Sequence, residues 1–222
     1  MRDEFRADLA EVSRTLVTMA EAVRVALRHA SNALLTANRD EAEDVVDRDP
    51  EIDALYRIVE DKVYDLVARQ APVASDLRVV LTALHVGADL ERMGDLADHV
   101  ARIALLRHPA AAVPPELAEV FARMGEVADH LAAKIARALS TADAVAAAQL
   151  DRDDDVMDDL HRQLFKILLG TDWPHGVEAA VDGALLGRFY ERYADHAVNV
   201  GRRVVFLVTG ENVAGATPPS VP

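Results

Sequence analysis

The sequence predicts an all-α protein of six long helices, arranged as two tandem three-helix bundles related by an internal repeat. Three observations support this prediction. The chain of 222 residues is dominated by Ala, Leu and Val, with 5% aromatic residues and no cysteine. Its apolar residues recur at helical spacings of three and four, and one acidic motif occurs twice, 100 residues apart. Repeated helical segments predict two halves with matching folds.

The first half contains three predicted helices. The first runs from about Glu4 to Ala37 and ends at the polar residues 38–40. The second runs from about Glu41 to Arg69 and contains Pro50, which we expect to kink the helix or to delay its start, because proline has no backbone N–H and clashes with the preceding turn. A turn at residues 71–74 leads into the third helix, which ends at about Arg107.

The second half repeats this organisation with a shorter connection between its first two helices. Its helices are predicted at about residues 116–139, 143–169 and 176–208. The Pro- and Ala-rich stretch before them is the best boundary between the halves. We therefore divide the chain into a first bundle, a linker, a second bundle and a disordered tail, at residues 1–108, 109–115, 116–210 and 211–222.

The repeated motif carries paired acids. Glu91 and Asp95 in the first half correspond to Glu191 and Asp195 in the second, and a spacing of four places each pair on one face of a helix. Glu91 and Asp95 lie opposite the main apolar seam of their helix, so we expect them to face outward. An offset of 105 residues aligns two further pairs on the preceding helices. The candidate metal ligands are Asp49, Asp53, Glu91 and Asp95 in one patch, and Asp154, Asp158, Glu191 and Asp195 in the other.

Clustered carboxylates without thiolates favour hard or intermediate cations, so the candidate ions are divalent or trivalent: Mg²⁺, Mn²⁺, Ca²⁺, iron or Zn²⁺. Weaker candidate ligands are Asp98, His99, His196 and Asn199. A solvated helix face is the alternative interpretation, because 38 acidic residues give about six such pairs by chance. We expect Arg92 and Arg192 to neutralise acids of neighbouring helices.

Charge and composition limit the classes of function. A net charge of −14 repels phosphate backbones, so we expect no binding to nucleic acid. The N-terminus has no signal-peptide core, and no apolar run approaches the ~20 residues that span a bilayer. We therefore expect a cytoplasmic protein that does not insert into a membrane. No catalytic motif is found, which predicts a protein that is not an enzyme. A metal-dependent phosphohydrolase and a structural or metal-storing bundle remain as alternatives.

The ordered set of motifs resembles the PhoU family of bacterial phosphate-signalling regulators. The resemblance is carried by residues 49–53, 72–78, 89–95, 189–199 and 206–210, and it covers nearly the whole chain up to the tail. The usual Glu-Arg-Ile-Gly-Asp of the family is Glu-Arg-Met-Gly-Asp in the first half and Glu-Arg-Tyr-Ala-Asp in the second, and His99 stands where Asn is common.

This resemblance implies the two-bundle fold, carboxylate-rich metal patches, and negative control of phosphate uptake and of phosphate-starvation genes. It also implies two partners, the ATPase subunit of a phosphate transporter and a sensor histidine kinase. We further expect the chain to form a homodimer.

Overall fold

The computed structural model describes residues 2–210, and over that range it contains only helices and their connections. Six of the helices are long, and one short helix interrupts the second half. The helices are α1 (Arg2–Thr36), α2 (Arg39–Gln70), α3 (Ser75–Arg107), α4 (Pro115–Thr141), α5 (Ala144–Ala148), α6 (Leu150–Leu168) and α7 (Gly176–Thr209). The predicted all-α fold with a tandem helical repeat is confirmed.

Two details differ from the sequence-based expectation. The α2 helix begins at Arg39 and continues through Pro50, so a delayed start was wrong. Asn38 caps it, because its side-chain oxygen accepts a hydrogen bond from the backbone N–H of Glu41 at 3.3 Å. The predicted fifth helix is divided at Gln149 into α5 and α6.

The connection between the halves is packed against the protein. Residues 109–114 are not helical, and α4 starts at Pro115, whose fixed φ suits the first turn of a helix. Ala112 and Val113 in this connection are buried in the core. The predicted disordered tail, residues 211–222, lies outside the described residues. None of the described helices is both long and apolar enough to span a bilayer.

The two halves meet through equivalent helices. Helix α1 packs against α4, and α3 packs against α7, while α2 and α6 pack against the third helix of their own half. The α3–α7 contacts run in opposite directions along the two helices: Arg78 with Phe206, Asp89 with His196 and Arg203, His99 with Phe189, and Arg107 with Asp182. Since these helices are copies of each other, the halves are related by a local pseudo-twofold axis.

One hydrophobic core runs through both halves. Two tyrosines of α7, Tyr190 and Tyr193, are fully buried in it and reach across to α1. The Tyr190 hydroxyl shares a 2.7 Å hydrogen bond with Ser31, and the Tyr193 hydroxyl donates to the carbonyl of Val23 at 3.1 Å. Both polar tips are therefore satisfied inside an apolar core, which avoids the cost of burying them unpaired.

An ion pair marks the axis between α1 and α4. Arg24 donates to both carboxylate oxygens of Asp129, at 2.8 and 3.1 Å, and both side chains are about 30% exposed. The two positions are 105 residues apart, so they are the same position of the repeat. Each also follows a glutamate by three residues, Glu21 in the first half and Glu126 in the second.

We predict that exchanging the two charges, as Arg24→Asp with Asp129→Arg, preserves the fold. Either single substitution leaves two like charges in contact and lowers the free energy of unfolding by about 1 kcal/mol or more. The double exchange restores the pair, because the surroundings repeat across the axis. Urea unfolding of the four proteins measures this. A double variant no more stable than the less stable single variant contradicts the pseudo-symmetry of this contact.

Candidate functional site

The acids of the first half lie together between α2 and α3, and we call them the first acidic cluster. Its centre is Asp49, which is half-buried on the turn of α2 that faces α3. Gly94 of α3 lies against this turn: a Cβ there would be 3.1 Å from Ile52, which is a tight contact, and 3.5 Å from a carboxylate oxygen of Asp49, which is an ordinary one. The cluster consists of Asp49 and Asp53 from α2, and Glu91, Asp95 and Asp98 from α3.

Burial and neighbouring charges disfavour the ionised form of Asp49. Burial raises its pKa to about 6, and the charges of Asp98, Asp53 and Asp95 add to the effect. The pKa of Glu91 is also raised, first by burial and then by the charge of Asp95. Like charges held close together without bulk water disfavour ionisation. A bound cation would remove this penalty.

Asp98 carries the most sheltered oxygen of the first cluster. Its side chain is 8% exposed, and one carboxylate oxygen accepts a 2.5 Å hydrogen bond from Arg102. The other oxygen, Oδ1, is buried and has no hydrogen-bond partner. A buried carboxylate oxygen without a partner is costly, which makes it a suitable acceptor for a cation.

The second half repeats this arrangement between α6 and α7. Its centre is Asp154, the repeat equivalent of Asp49. Burial raises the pKa of Asp154 to about 7, with additional contributions from Asp158, Asp195 and Glu191. The pKa of Glu191 is raised by burial first and by Asp195 second. We call Asp154, Asp158, Glu191 and Asp195 the second acidic cluster.

The acids are less exposed than the helix pattern predicted. The side chains of Glu91 and Glu191 are only 22% and 17% exposed, so the expectation that the first pair faces outward was wrong for Glu91. The reason is that α2 and α6 pack over this line of α3 and α7 and cover part of it. Asp95 is 29% exposed, and Asp195 reaches solvent.

Two arginines form ion pairs with acids of the two clusters. Arg92 donates to Asp95 at 2.5 Å, and Arg188 donates to both oxygens of Glu191 at 2.5 Å. The sequence-based expectation that Arg92 serves a neighbouring helix was wrong, because its partners lie on its own helix. The sequence analysis did not predict the contact of Arg188 with Glu191. The spacing of three residues between them could have indicated it, because residues three apart are neighbours on a helix surface.

The donor set fits a hard cation, but the side chains are not gathered around one. Within residues 4–210, no three or more Asp, Glu or His side chains are placed so that they could hold a metal ion as they stand. A cation would need to draw carboxylates together and to displace Arg92 from Asp95 or Arg188 from Glu191. Both arginines are more than half exposed, so they can turn toward solvent.

The weaker candidate ligands separate into different surroundings. Asp98 joins the first cluster. His99 is exposed and packs its ring against Phe189, with the ring centres 5.1 Å apart. His196 contacts Asp89 at 3.0 Å, and Asp89 also accepts from Arg203 at 2.8 Å, so this histidine belongs to a polar contact between α3 and α7. Asn199 is half-buried on α7.

His161 was missed by the sequence analysis. It lies on α6 one turn beyond Asp158, and its Nε2 atom is buried without a hydrogen-bond partner. Burial and the charge of Arg188 lower its pKa, against an opposing effect of Asp158. The repeat aligns it with Tyr56, whose pKa is raised by burial first and then by nearby acids that include Glu91. Tyr56 lies close to Gly87, and His161 lies close to Gly187. An aromatic residue on one helix with a glycine on the next, repeated in both halves, is the sequence feature that could have indicated His161.

Both halves of the chain match a known protein family. The model of the PhoU domain matches residues 16–104 and again residues 121–204. The chain is 46% identical over 210 residues to the phosphate-specific transport system accessory protein PhoU homolog 2 of Mycobacterium tuberculosis, covering 95% of this chain and 99% of that one. It is 33% identical to a PhoU homolog of Synechocystis, with 95% and 93% coverage.

Solved structures agree with this assignment. The crystal structure of PhoU from Pseudomonas aeruginosa superposes with a TM-score of 0.85 at 27% identity, covering 93% of this chain and all of that one. The phosphate transport system regulatory protein PhoU from Streptococcus pneumoniae gives the same TM-score at 25% identity, with 94% and 99% coverage. Since the family model matches both repeats and the relatives align over nearly the full length, this chain belongs to the PhoU family.

Proposed function

We propose that this protein is a cytosolic, non-enzymatic adaptor that represses phosphate uptake and phosphate-starvation signalling. It does so by docking on the ATPase subunit of a phosphate transporter and on a sensor histidine kinase. The observation that carries the proposal is the full-length match to relatives named as accessory proteins of the phosphate-specific transport system. An acidic helical surface with a net charge of −14 suits contacts with basic faces of partner proteins.

We also propose that the two acidic clusters each bind a divalent or trivalent cation. The half-buried acids repel one another in the free protein, and the pKa values of Asp49 and Asp154 are raised to about 6 and about 7. A cation would offset the repulsion within each cluster and link α2 to α3, or α6 to α7. Asp49, Asp53, Glu91, Asp95 and Asp98 would supply the ligands in the first half, and Asp154, Asp158, Glu191 and Asp195 in the second.

The regulatory role predicts a clear phenotype. Deletion of the gene in the source organism, in a background without other members of the family, should switch on a phosphate-regulated reporter in phosphate-rich medium. Wild-type protein should silence it again. Glu91→Ala with Glu191→Ala should fail to silence it, because the paired substitution removes one acid from each cluster.

The matched control is Glu119→Ala with Glu126→Ala, which changes the net charge equally at exposed positions of α4. This control should silence the reporter as the wild type does. A reporter that stays silent in rich phosphate without the protein refutes the regulatory proposal. Turnover of phosphate esters by the purified protein with Mn²⁺ or iron would favour the phosphohydrolase instead.

Metal binding should depend on pH in a different way in the two halves. A cation must displace the proton of the central acid, so affinity falls where that acid is protonated. Between pH 8 and pH 6, binding at the second cluster should weaken by about tenfold and at the first by about twofold, as pKa values near 7 and near 6 require.

Calorimetric titration with Mn²⁺ measures this on two variants, each with the four paired acids of one half replaced by Asn or Gln. The variant that keeps the second cluster should show the steeper pH dependence. A protein with all eight acids replaced sets the background. If it takes up metal as the native protein does, the acids are solvated faces and not sites.

We further propose a homodimer, since twofold assemblies are the commonest oligomers and the α6–α7 hairpin exposes large apolar side chains such as Leu169 and Val177, each 80% exposed. Sedimentation equilibrium at micromolar concentration should give twice the mass of the 24.1 kDa chain. A concentration-independent monomer mass contradicts this proposal.

A further inference from the structure

A cleft of about 330 Å³ opens between α1 and α2 of the first half, and we call it the α1–α2 cleft. Its walls are apolar, and Gly94 of α3 completes the lining. The main wall residues are Ala22 and Ala26 from α1, and Val45, Ile52 and Leu55 from α2. This volume is at the lower end of the range for ligand pockets and accommodates a few apolar side chains.

The second half differs from the first at the positions that line this cleft. At an offset of 105 residues, Ala22 and Ala26 correspond to the larger Val127 and Leu131. Leu131 is fully buried, whereas Ala26 is partly exposed to the cleft. The second half therefore carries two larger side chains at the positions where the first half has the alanines that line the cleft.

Charge reinforces this difference. In the second half, Lys134 of α4 donates to Asp153 of α6 at 2.5 Å and ties the two helices together. The corresponding residues of the first half are His29 and Arg48, both basic types, so no such bridge forms. His29 contacts Glu41 at 2.7 Å instead.

The rim of the cleft is acidic. Glu21 on α1 and Asp44 and Glu51 on α2 have side chains more than half exposed, and Asp49 lies half-buried within the lining. Arg48 also lines the cleft, and its contacts to Asp44 and Glu51 are long, at 3.9 and 3.4 Å; Arg24 contacts Glu21 at 3.7 Å. Exposed pairs at such distances are weak and easily exchanged for another cation.

We propose that the α1–α2 cleft receives a basic amphipathic helix of a protein partner, whose apolar residues enter the cleft while Lys or Arg side chains contact the rim. The proposal rests on the adaptor role proposed above and specifies the chemistry of one partner. The lining of α1 extends from Thr18 to His29, about 17 Å or three helical turns, which matches the groove-binding mode of a short helix. A second copy of this chain, also at −14, is poorly matched to the acidic rim.

Binding of synthetic peptides tests this proposal on the purified full chain. The probe is a fluorescent helical peptide of about 18 residues, with Leu at spacings of three and four and Lys elsewhere. A matched peptide carries Glu in place of Lys. Fluorescence anisotropy should show binding of the Lys peptide only, and equal binding of both peptides overturns the proposed charge preference.

Two kinds of variant locate the binding. Ala22→Val with Ala26→Leu copies the second half into the cleft without changing charge, and Asp44→Lys with Glu51→Lys reverses the rim. Each should weaken binding of the Lys peptide by about tenfold or more, the loss typical of an interface anchor. The control Glu119→Lys with Asp172→Lys makes the same net change at exposed positions outside the cleft, and it should alter affinity by less than about threefold.

Native affinity in the filled-cleft variant, or an equal loss in the control, overturns the proposal. Circular dichroism establishes that each variant is folded, and the charge-reversed pair provides the test if the filled cleft does not fold. The peptide and reporter experiments separate the two proposals. Repression of the reporter without binding of the Lys peptide overturns the cleft proposal alone, and binding of the Lys peptide in the cleft without repression of the reporter overturns the regulatory role alone.

Discussion

The structure depends on the contact between α3 and α7, which joins the two halves. Charged hydrogen bonds lie along its length: Asp89 of α3 accepts from Arg203 of α7 at 2.8 Å, and Arg107 of α3 donates to Asp182 of α7 at 2.5 Å. Hydrogen bonds between ionised groups are stronger than neutral ones, so these pairs help to fix how the two helices lie along each other. Because α3 and α7 are also the helices that carry the repeated acids, the contact that joins the halves fixes where both acidic clusters lie.

The clusters are formed at the edge of this packing, where burial and charge oppose each other. The row of side chains on α3 that carries the acids, and the equivalent row on α7, is partly covered by α2 or α6. The acids are therefore shielded from solvent. The consequence is the raised pKa values of Asp49 and Asp154. Half-buried acids with raised pKa values are frequent at functional sites, which is why we propose both clusters as cation sites.

The halves are similar in backbone but carry different side chains at equivalent positions of the repeat. Arg24 and Asp129 occupy one repeat position and carry opposite charges, which turns the local twofold axis into an ion pair. Asp89 contacts His196 and Arg203, whereas its repeat equivalent Phe189 packs on His99. The α1–α2 cleft follows the same principle, since the first half has two alanines and no ion pair where the second half has larger side chains and the pair of Lys134 with Asp153.

The sequence by itself determined the helices, the tandem repeat and the membership of each acid in one half. It could do so because helical periodicity and a fixed offset are local properties of the chain. It also determined that Asp49 lies with Asp53 and Asp95, and Asp154 with Asp158 and Asp195, while their role as metal ligands stays a prediction. Only the tertiary structure decided how deeply Glu91 and Glu191 are buried, that His161 lies beside the second cluster, that His196 contacts Asp89, and that α1 and α2 leave a cleft. Those features depend on which helix covers which face, and side-chain spacing along one helix does not encode the position of its neighbour.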